Sequence, residues 1–213
     1  MDLKKIIVLI ILCVLTSFYC WYIDNESLYD LLVFSGDSLS KGYFWVVLTA
    51  LFIHSDLMHL GGNMLFLYVF GSVLENEVGS NKTIAAFFIG GALSFILSIP
   101  FYGPETVMIG ASAAIFTLTA IVMLVKPLKF SWFFLMPLGL VAILYFLYNL
   151  AAAFYLEGES IGYWGHIIGF IIGLPMGIMW SKKKWMRNLI IAVALLAAYF
   201  VLILFLEALL GIV

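Results

Sequence analysis

Residues 164–177 read WGHIIGFIIGLPMG, an apolar stretch in which glycine returns at every fourth position. Positions four apart lie on the same face of an α-helix. The four glycines of that face are Gly165, Gly169, Gly173 and Gly177. A face of glycines forms a groove that a second helix can approach closely, which is typical of packing between membrane helices. The stretch therefore predicts a tightly packed membrane helix, and His166 stands beside its groove.

The composition of the whole chain is that of an integral membrane protein. Of its 213 residues, 65% are hydrophobic and 10% are charged, whereas a typical soluble domain has about 25% charged residues. This leaves too little polar surface to cover a globule in water. The net charge of −2, without a basic patch among aromatic residues, gives no indication of nucleic-acid binding. We therefore expect an all-α polytopic membrane protein.

Apolar runs bounded by charged or turn residues predict seven membrane spans. They cover residues 6–23, 57–75, 83–101, 112–125, 130–156, 163–180 and 189–211. The first run is long for the hydrophobic part of a signal peptide and lacks a small-residue cleavage site, so we interpret it as a retained helix. In the connection 24–44, residues 28–34 could form a short amphipathic helix at the membrane interface.

The basic residues are distributed very unequally between the two sides of these spans. With the N-terminus inside the cell, nine of the ten basic residues lie in inner segments and only Lys41 lies outside. This distribution obeys the positive-inside rule. We therefore predict a cytoplasmic N-terminus. Separately, we expect the protein to lie in the plasma membrane. The long fifth span contains Pro137, which could kink it.

The fourth span is too short to cross the bilayer fully. Its fourteen residues, 112–125, end just before a lysine at position 126 and cover about 21 Å, against a hydrocarbon core of about 30 Å. Ser112 should therefore lie below the outer surface, at the foot of a hydrated cavity. Counting residues back from the inner ends of the sixth and second spans places His166 and His59 at the same depth as Ser112. Asn63 follows His59 by four residues and shares its helix face.

Each of these polar residues also has an ordinary structural explanation. A serine in a membrane helix is most often a packing residue, and a lone histidine or asparagine can join helices by hydrogen bonds. Ionisable groups at membrane depth are nevertheless costly and usually functional. Small residues around Ser112 would let the fourth span enter the glycine groove and bring the serine to His166. No acid lies at matching depth, so the predicted catalytic unit is a Ser–His dyad.

Three segments resemble the rhomboid family of intramembrane serine proteases. HSDLMHLGGNM at 54–64 resembles the family's H-x4-H-x3-N-M run, IGASAAIF at 109–116 its nucleophile motif, and WGHIIGFIIG at 164–173 its histidine helix. The resemblance covers roughly residues 43–180. It implies a six-helix core within residues 1–180, with a basic turn and an additional C-terminal helix in residues 181–213. It also implies no metal or cofactor.

The resemblance assigns roles to the residues of the polar layer. Ser112 would be the nucleophile and His166 the general base, while His59 and Asn63 would line the oxyanion hole. The substrates would be transmembrane segments of other proteins, entering from the lipid bilayer near the fifth span and the 157–163 loop. The enzyme would hydrolyse peptide bonds in or near those segments.

Supporting roles and departures from the family pattern follow from the same comparison. His54 and Gly110 would support the oxyanion site, and Phe116 would pack against the ring of the catalytic histidine. Ala113 stands where the family has glycine, which could narrow the contact between the fourth and sixth spans. Val46 stands where the family often has arginine, which should loosen the 24–44 loop.

Three alternatives remain open at this point. A catalytically inactive rhomboid-like protein that binds membrane clients would share the fold and differ only in turnover. A metalloprotease could use His54, His59 and His166, although the first two are five residues apart rather than four, without an accompanying glutamate. A transporter would place polar residues at several depths, whereas here they form one layer.

Overall fold

The computed structural model describes residues 4–23, 26–156 and 162–210. The helices are α1 (Lys5–Ile23), α2 (Glu26–Asp30), α3 (Gly36–Ser40), α4 (Val46–Thr49), α5 (Leu57–Phe66), α6 (Ser72–Val78), α7 (Ser80–Tyr102), α8 (Ser112–Val125), α9 (Leu138–Tyr155), α10 (Tyr163–Trp180) and α11 (Trp185–Leu209). A 3-10 turn covers Ala50–Phe52, and a π-helical turn, Leu67–Gly71, joins α5 to α6.

The seven predicted spans are present as helices. Within the described residues, six helices are long and apolar enough to cross a membrane, and α8 is a shorter apolar helix of fourteen residues. The continuous α5–α6 unit, Leu57–Val78, counts as one of the six. The all-α polytopic fold is therefore confirmed. Residue 211, the predicted end of the last span, lies outside the described residues, as do positions 157–161 of the predicted entry loop.

The predicted start of the fifth span was wrong. Residues 130–137 form two short antiparallel strands, β1 (Phe130–Ser131) and β2 (Met136–Pro137), and α9 begins only at Leu138. Pro137 has an extended backbone, with φ −64° and ψ 139°. Proline lacks an N–H and biases the residue before it away from the helical region. It therefore marks the boundary of α9 and does not kink the helix.

The predicted amphipathic helix at 28–34 was also wrong in its bounds. The chain is helical in α2 and α3, but Phe34, between them, pairs with Met108 in an isolated antiparallel bridge. The Met108 N–H donates to the Phe34 carbonyl at 2.8 Å, and the Phe34 N–H donates back at 3.3 Å. This pairing removes Phe34 from any helix and ties the segment between α2 and α3 to the loop that precedes Ser112.

Helix α8 is the centre of the bundle, and the glycine groove of α10 receives it. A Cβ atom added at Gly169 would collide with the backbone carbonyl of Ala113, and one at Gly173 would collide with that of Thr117. The Thr117 hydroxyl donates to the Gly169 carbonyl at 2.8 Å. The expected close approach is therefore present. Gly165 lies outside this contact and has Ser98 Oγ of α7 as its neighbour.

The basic ends of the helices meet at the end of the bundle away from Ser112. Lys126 Nζ lies 2.9 Å from a Glu77 carboxylate oxygen, and Lys5 Nζ donates to Asn81 Oδ1 at 2.8 Å. Buried Asn188 of α11 donates from Nδ2 to the Leu124 carbonyl at 2.8 Å, which fastens α11 to the end of α8. A cavity of about 310 Å³ opens at this end, remote from Ser112.

Candidate active site

Ser112 is the first residue of α8, and its hydroxyl meets the imidazole of His166. The distance from Ser112 Oγ to His166 Nε2 is 2.7 Å. His166 lies in the first turn of α10, one residue after Gly165 and three before Gly169. Because α8 lies in the glycine groove, the two helix starts are held side by side. A serine hydroxyl with an imidazole nitrogen at this distance has the geometry of an activated nucleophile.

Aromatic packing fixes the plane of the His166 ring. Phe116, one helical turn after Ser112, stacks on the imidazole with a centroid distance of 4.6 Å and an interplanar angle of 7°. Tyr145 of α9 stacks on the far face of Phe116 at 4.5 Å. The contact between Phe116 and His166 agrees with the role that the family resemblance gave to this phenylalanine.

Asn149 of α9 contacts the other nitrogen of the His166 ring, and sequence reasoning missed it. Its Oδ1 lies 2.7 Å from His166 Nδ1, and its Nδ2 donates to the Tyr145 carbonyl at 2.8 Å. The asparagine is 1% exposed. One signal was available, because an amide within an apolar membrane span usually faces the protein interior and has a partner there.

His59 and Asn63 lie on α5, whose first turn is capped by Asp56. The Asp56 carboxylate accepts from the His59 N–H at 2.8 Å, and the Ser55 hydroxyl donates to its second oxygen at 2.8 Å. The bond from the His59 N–H, followed by that from Ser55, lowers the pKa of Asp56. A lowered carboxyl pKa means that the cap stabilises the fold above the ordinary pKa, and that this stability is lost as pH falls through the lowered value.

Gly110 brings the loop before Ser112 against His59 and Asn63. Its φ is +105°, a conformation that side chains other than glycine rarely adopt. A Cβ atom at this position would lie 2.8 Å from His59 Nε2 and 3.9 Å from Asn63 Nδ2. The Gly110 N–H donates to the Ala50 carbonyl at 2.9 Å. Two possible hydrogen-bond donors, His59 Nε2 and Asn63 Nδ2, therefore face the backbone of Gly110, two residues before the serine.

His54 holds the next residue of the same loop. The Ala111 N–H donates to His54 Nε2 at 3.4 Å, and His54 Nδ1 lies 3.1 Å from Ser17 Oγ of α1. With Nε2 accepting, the ring proton is on Nδ1 and is donated to Ser17. The Ser17 hydroxyl in turn donates to the Phe52 carbonyl at 3.2 Å. His54 thus links α1 to the loop that positions Ser112.

Val46 and Ala113, two of the departures from the family pattern, lie in well-packed surroundings. Val46 is fully buried. Its neighbour Trp45 donates from Nε1 to the Leu31 carbonyl at 2.7 Å, and the Thr49 hydroxyl donates to the Leu32 carbonyl at 2.6 Å. These two bonds tie α4 to the loop at the place where the family often has arginine. Ala113 is buried and meets the groove through its carbonyl oxygen.

The three histidines do not form a metal-binding cluster. The rings of His54 and His59 are 5.0 Å apart at their centroids, but His166 has Ser112 and Asn149 on its two nitrogens. Among the described residues, no group of three or more histidine, cysteine, aspartate or glutamate side chains is placed to hold a metal ion. The ligand set of the metalloprotease alternative is therefore not assembled in this part of the chain.

Comparison with known proteins gives consistent matches. The family model described as the Rhomboid domain matches residues 41–183. Rhomboid-like protease 3 from Toxoplasma gondii is 25% identical over 210 residues, covering 92% of this chain and 76% of the relative. Rhomboid protease GlpG from Salmonella choleraesuis (strain SC-B67) is 28% identical over 172 residues, covering 81% of this chain and 61% of the relative. The chain thus spans less than two thirds of that relative's length.

Proposed function

The chain belongs to the rhomboid family, and from this premise we propose that it is an intramembrane serine endopeptidase. It hydrolyses peptide bonds in or near transmembrane segments of other membrane proteins. The observation that carries the proposal is the 2.7 Å contact between Ser112 Oγ and His166 Nε2. Relatives that carry the word protease in their names support the same reaction class.

The proposed reaction begins with proton transfer from Ser112 Oγ to His166 Nε2 while Oγ bonds to the substrate carbonyl carbon. The oxyanion that forms would be stabilised by Asn63, His59 and the Ser112 N–H at the positive end of α8. Its collapse breaks the C–N bond, and His166 returns the proton to the leaving amine. Water then attacks the acyl-enzyme with His166 again as base, which releases the new carboxyl group and restores the serine.

The substrate's helical peptide bonds are hydrogen-bonded, so a scissile bond must unwind before it reaches Ser112. We infer that segments with small or helix-breaking residues near the outer membrane surface are preferred. By family resemblance they enter between helices beside α9. Water would reach the serine, which is only partly buried, through an outer cavity. The proposed topology has the N-terminus in the cytoplasm of a plasma-membrane protein, with a core in residues 1–180 followed by the appended segment 181–213.

A fluorophosphonate probe tests this function directly. An activated serine attacks the phosphorus and expels fluoride, so the detergent-solubilised protein is expected to be labelled at Ser112. Labelling should vanish in Ser112→Ala and persist in Ser94→Ala, which removes a buried serine of α7 that bonds only its own helix in the structure. The readout is peptide mass mapping together with cleavage of a test transmembrane substrate. A folded wild-type protein that neither labels nor cleaves would establish the inactive rhomboid-like alternative.

The oxyanion role of α5 predicts a specific kinetic signature. His59→Ala and Asn63→Ala are each expected to lower kcat by about 10²- to 10³-fold, the typical cost of losing one oxyanion donor. Because the donors act on charge that develops in the transition state, KM should change little. The control is Met58→Ala, which truncates an exposed side chain beside His59. An increase in KM at constant kcat would assign these residues to substrate binding instead.

A further inference from the structure

We propose that Asn149 is a positioning residue that sets the tautomer and the in-plane orientation of His166, making the site a Ser–His–Asn arrangement. The inference rests on the proposed protease function. It departs from the dyad expected from the sequence, because the orienting group is an amide carried by α9. That helix supplies neither the nucleophile nor the base.

The amide orientation of Asn149 follows from its two partners. Nδ2 lies 2.8 Å from the Tyr145 carbonyl, which can only accept. The nitrogen therefore faces Tyr145, and Oδ1 faces His166 Nδ1 at 2.7 Å. The reverse amide orientation would place the Asn149 oxygen against the carbonyl oxygen of Tyr145.

This orientation determines where the ring carries its proton. An amide oxygen can only accept, so His166 Nδ1 must carry hydrogen and donate it to Asn149. In the neutral imidazole, Nε2 then has the free lone pair, and Nε2 is the nitrogen that lies 2.7 Å from Ser112 Oγ. The opposite tautomer would set two lone pairs against each other at Nδ1 and leave no base for the serine. Asn149 thus selects the reactive tautomer.

The asparagine also supplies a restraint that stacking lacks. Phe116 lies almost parallel to the imidazole, and a parallel stack resists tilting of the ring but allows rotation within its plane. A hydrogen bond at Nδ1 blocks that rotation and keeps Nε2 aimed at Ser112. Asn149 is 1% exposed, so water has no ready access to replace its oxygen. Hydrogen bonds are electrostatically stronger in such a low-dielectric interior.

The test compares Asn149→Leu, Asn149→Ala and Asn149→Asp in the full-length protein. Leucine and alanine remove the acceptor, so kcat for a transmembrane substrate is expected to fall about 10- to 100-fold with KM within about twofold. Aspartate should recover most of that loss. Its carboxyl group keeps an oxygen toward Nδ1, and its protonated form can still donate to the Tyr145 carbonyl.

The matched control is Asn188→Leu, which removes a second buried asparagine, carried by α11 and bonded to the Leu124 carbonyl at the other end of α8. It should lower the thermal unfolding midpoint and leave kcat unchanged, which separates a structural amide from a positioning one. If Asn149→Leu does not fold, the fluorophosphonate labelling rate of folded Asn149→Ala replaces it. Wild-type kcat in both acceptor-free variants, or no recovery in folded Asn149→Asp, would overturn the inference. Unchanged labelling in Ser112→Ala would instead refute the protease itself.

Discussion

Ser112→Ala, His166→Ala and the double variant are all expected to lose proteolysis to the same extent, by about 10⁴- to 10⁶-fold. The three losses are expected to be equal because Ser112 and His166 act together on one proton, which passes from the serine to the histidine. A serine without its base is a poor nucleophile, and a base without the serine has no proton to take. Removing the second member of such a pair therefore costs little once the first is gone.

Turnover of a purified transmembrane substrate in detergent would measure this non-additivity. All three variants should retain the wild-type unfolding midpoint to within a few degrees, since both side chains lie at helix starts beside the packed groove. If the double variant were slower than the wild type by the product of the two separate losses, Ser112 and His166 would act independently. The reaction would then need a different base.

That Ser112 and His166 lie at one level of the bundle was predictable from the sequence because it rests on arithmetic along single helices. The fourteen-residue length of α8 and the positions of His59 and His166 on their own spans each follow from a rise of about 1.5 Å per residue. The glycine spacing in α10 similarly follows from one helix alone. The sequence could therefore indicate that Ser112 and His166 share a layer, and the structure places them 2.7 Å apart.

The features that sequence reasoning missed depend on contacts between distant segments. Nothing in the apolar run around Asn149 says that its amide faces α10 rather than another helix. The bridge between Phe34 and Met108 likewise joins residues 74 positions apart, so no local pattern reveals it. The start of α9 was missed for a different reason, because the aromatic run at 130–135 is as apolar as a helix and Pro137 was interpreted as a kink.

The glycine groove provides the second large expected effect. Gly169→Val and Gly173→Val are each expected to destabilise the protein by about 3 kcal/mol, at the upper end of the usual cost of overpacking. The added Cβ atoms meet the carbonyl groups of Ala113 and Thr117, and backbone within a buried helix has no alternative rotamer. Relief requires that α8 and α10 separate, which also moves Ser112 away from His166.

Gly61→Ala and Gly62→Ala on α5 are the matched controls for this prediction. A Cβ atom at either position has no described neighbour within 4 Å, so these substitutions should be neutral or stabilise the helix by about 0.5–1 kcal/mol. Thermal unfolding in detergent measures stability, and the fluorophosphonate labelling rate of the folded fraction reports the separation of the two helices. Wild-type stability and labelling in Gly169→Val would mean that the groove tolerates a side chain. The juxtaposition of serine and histidine would then need another cause than the close approach of α8 and α10.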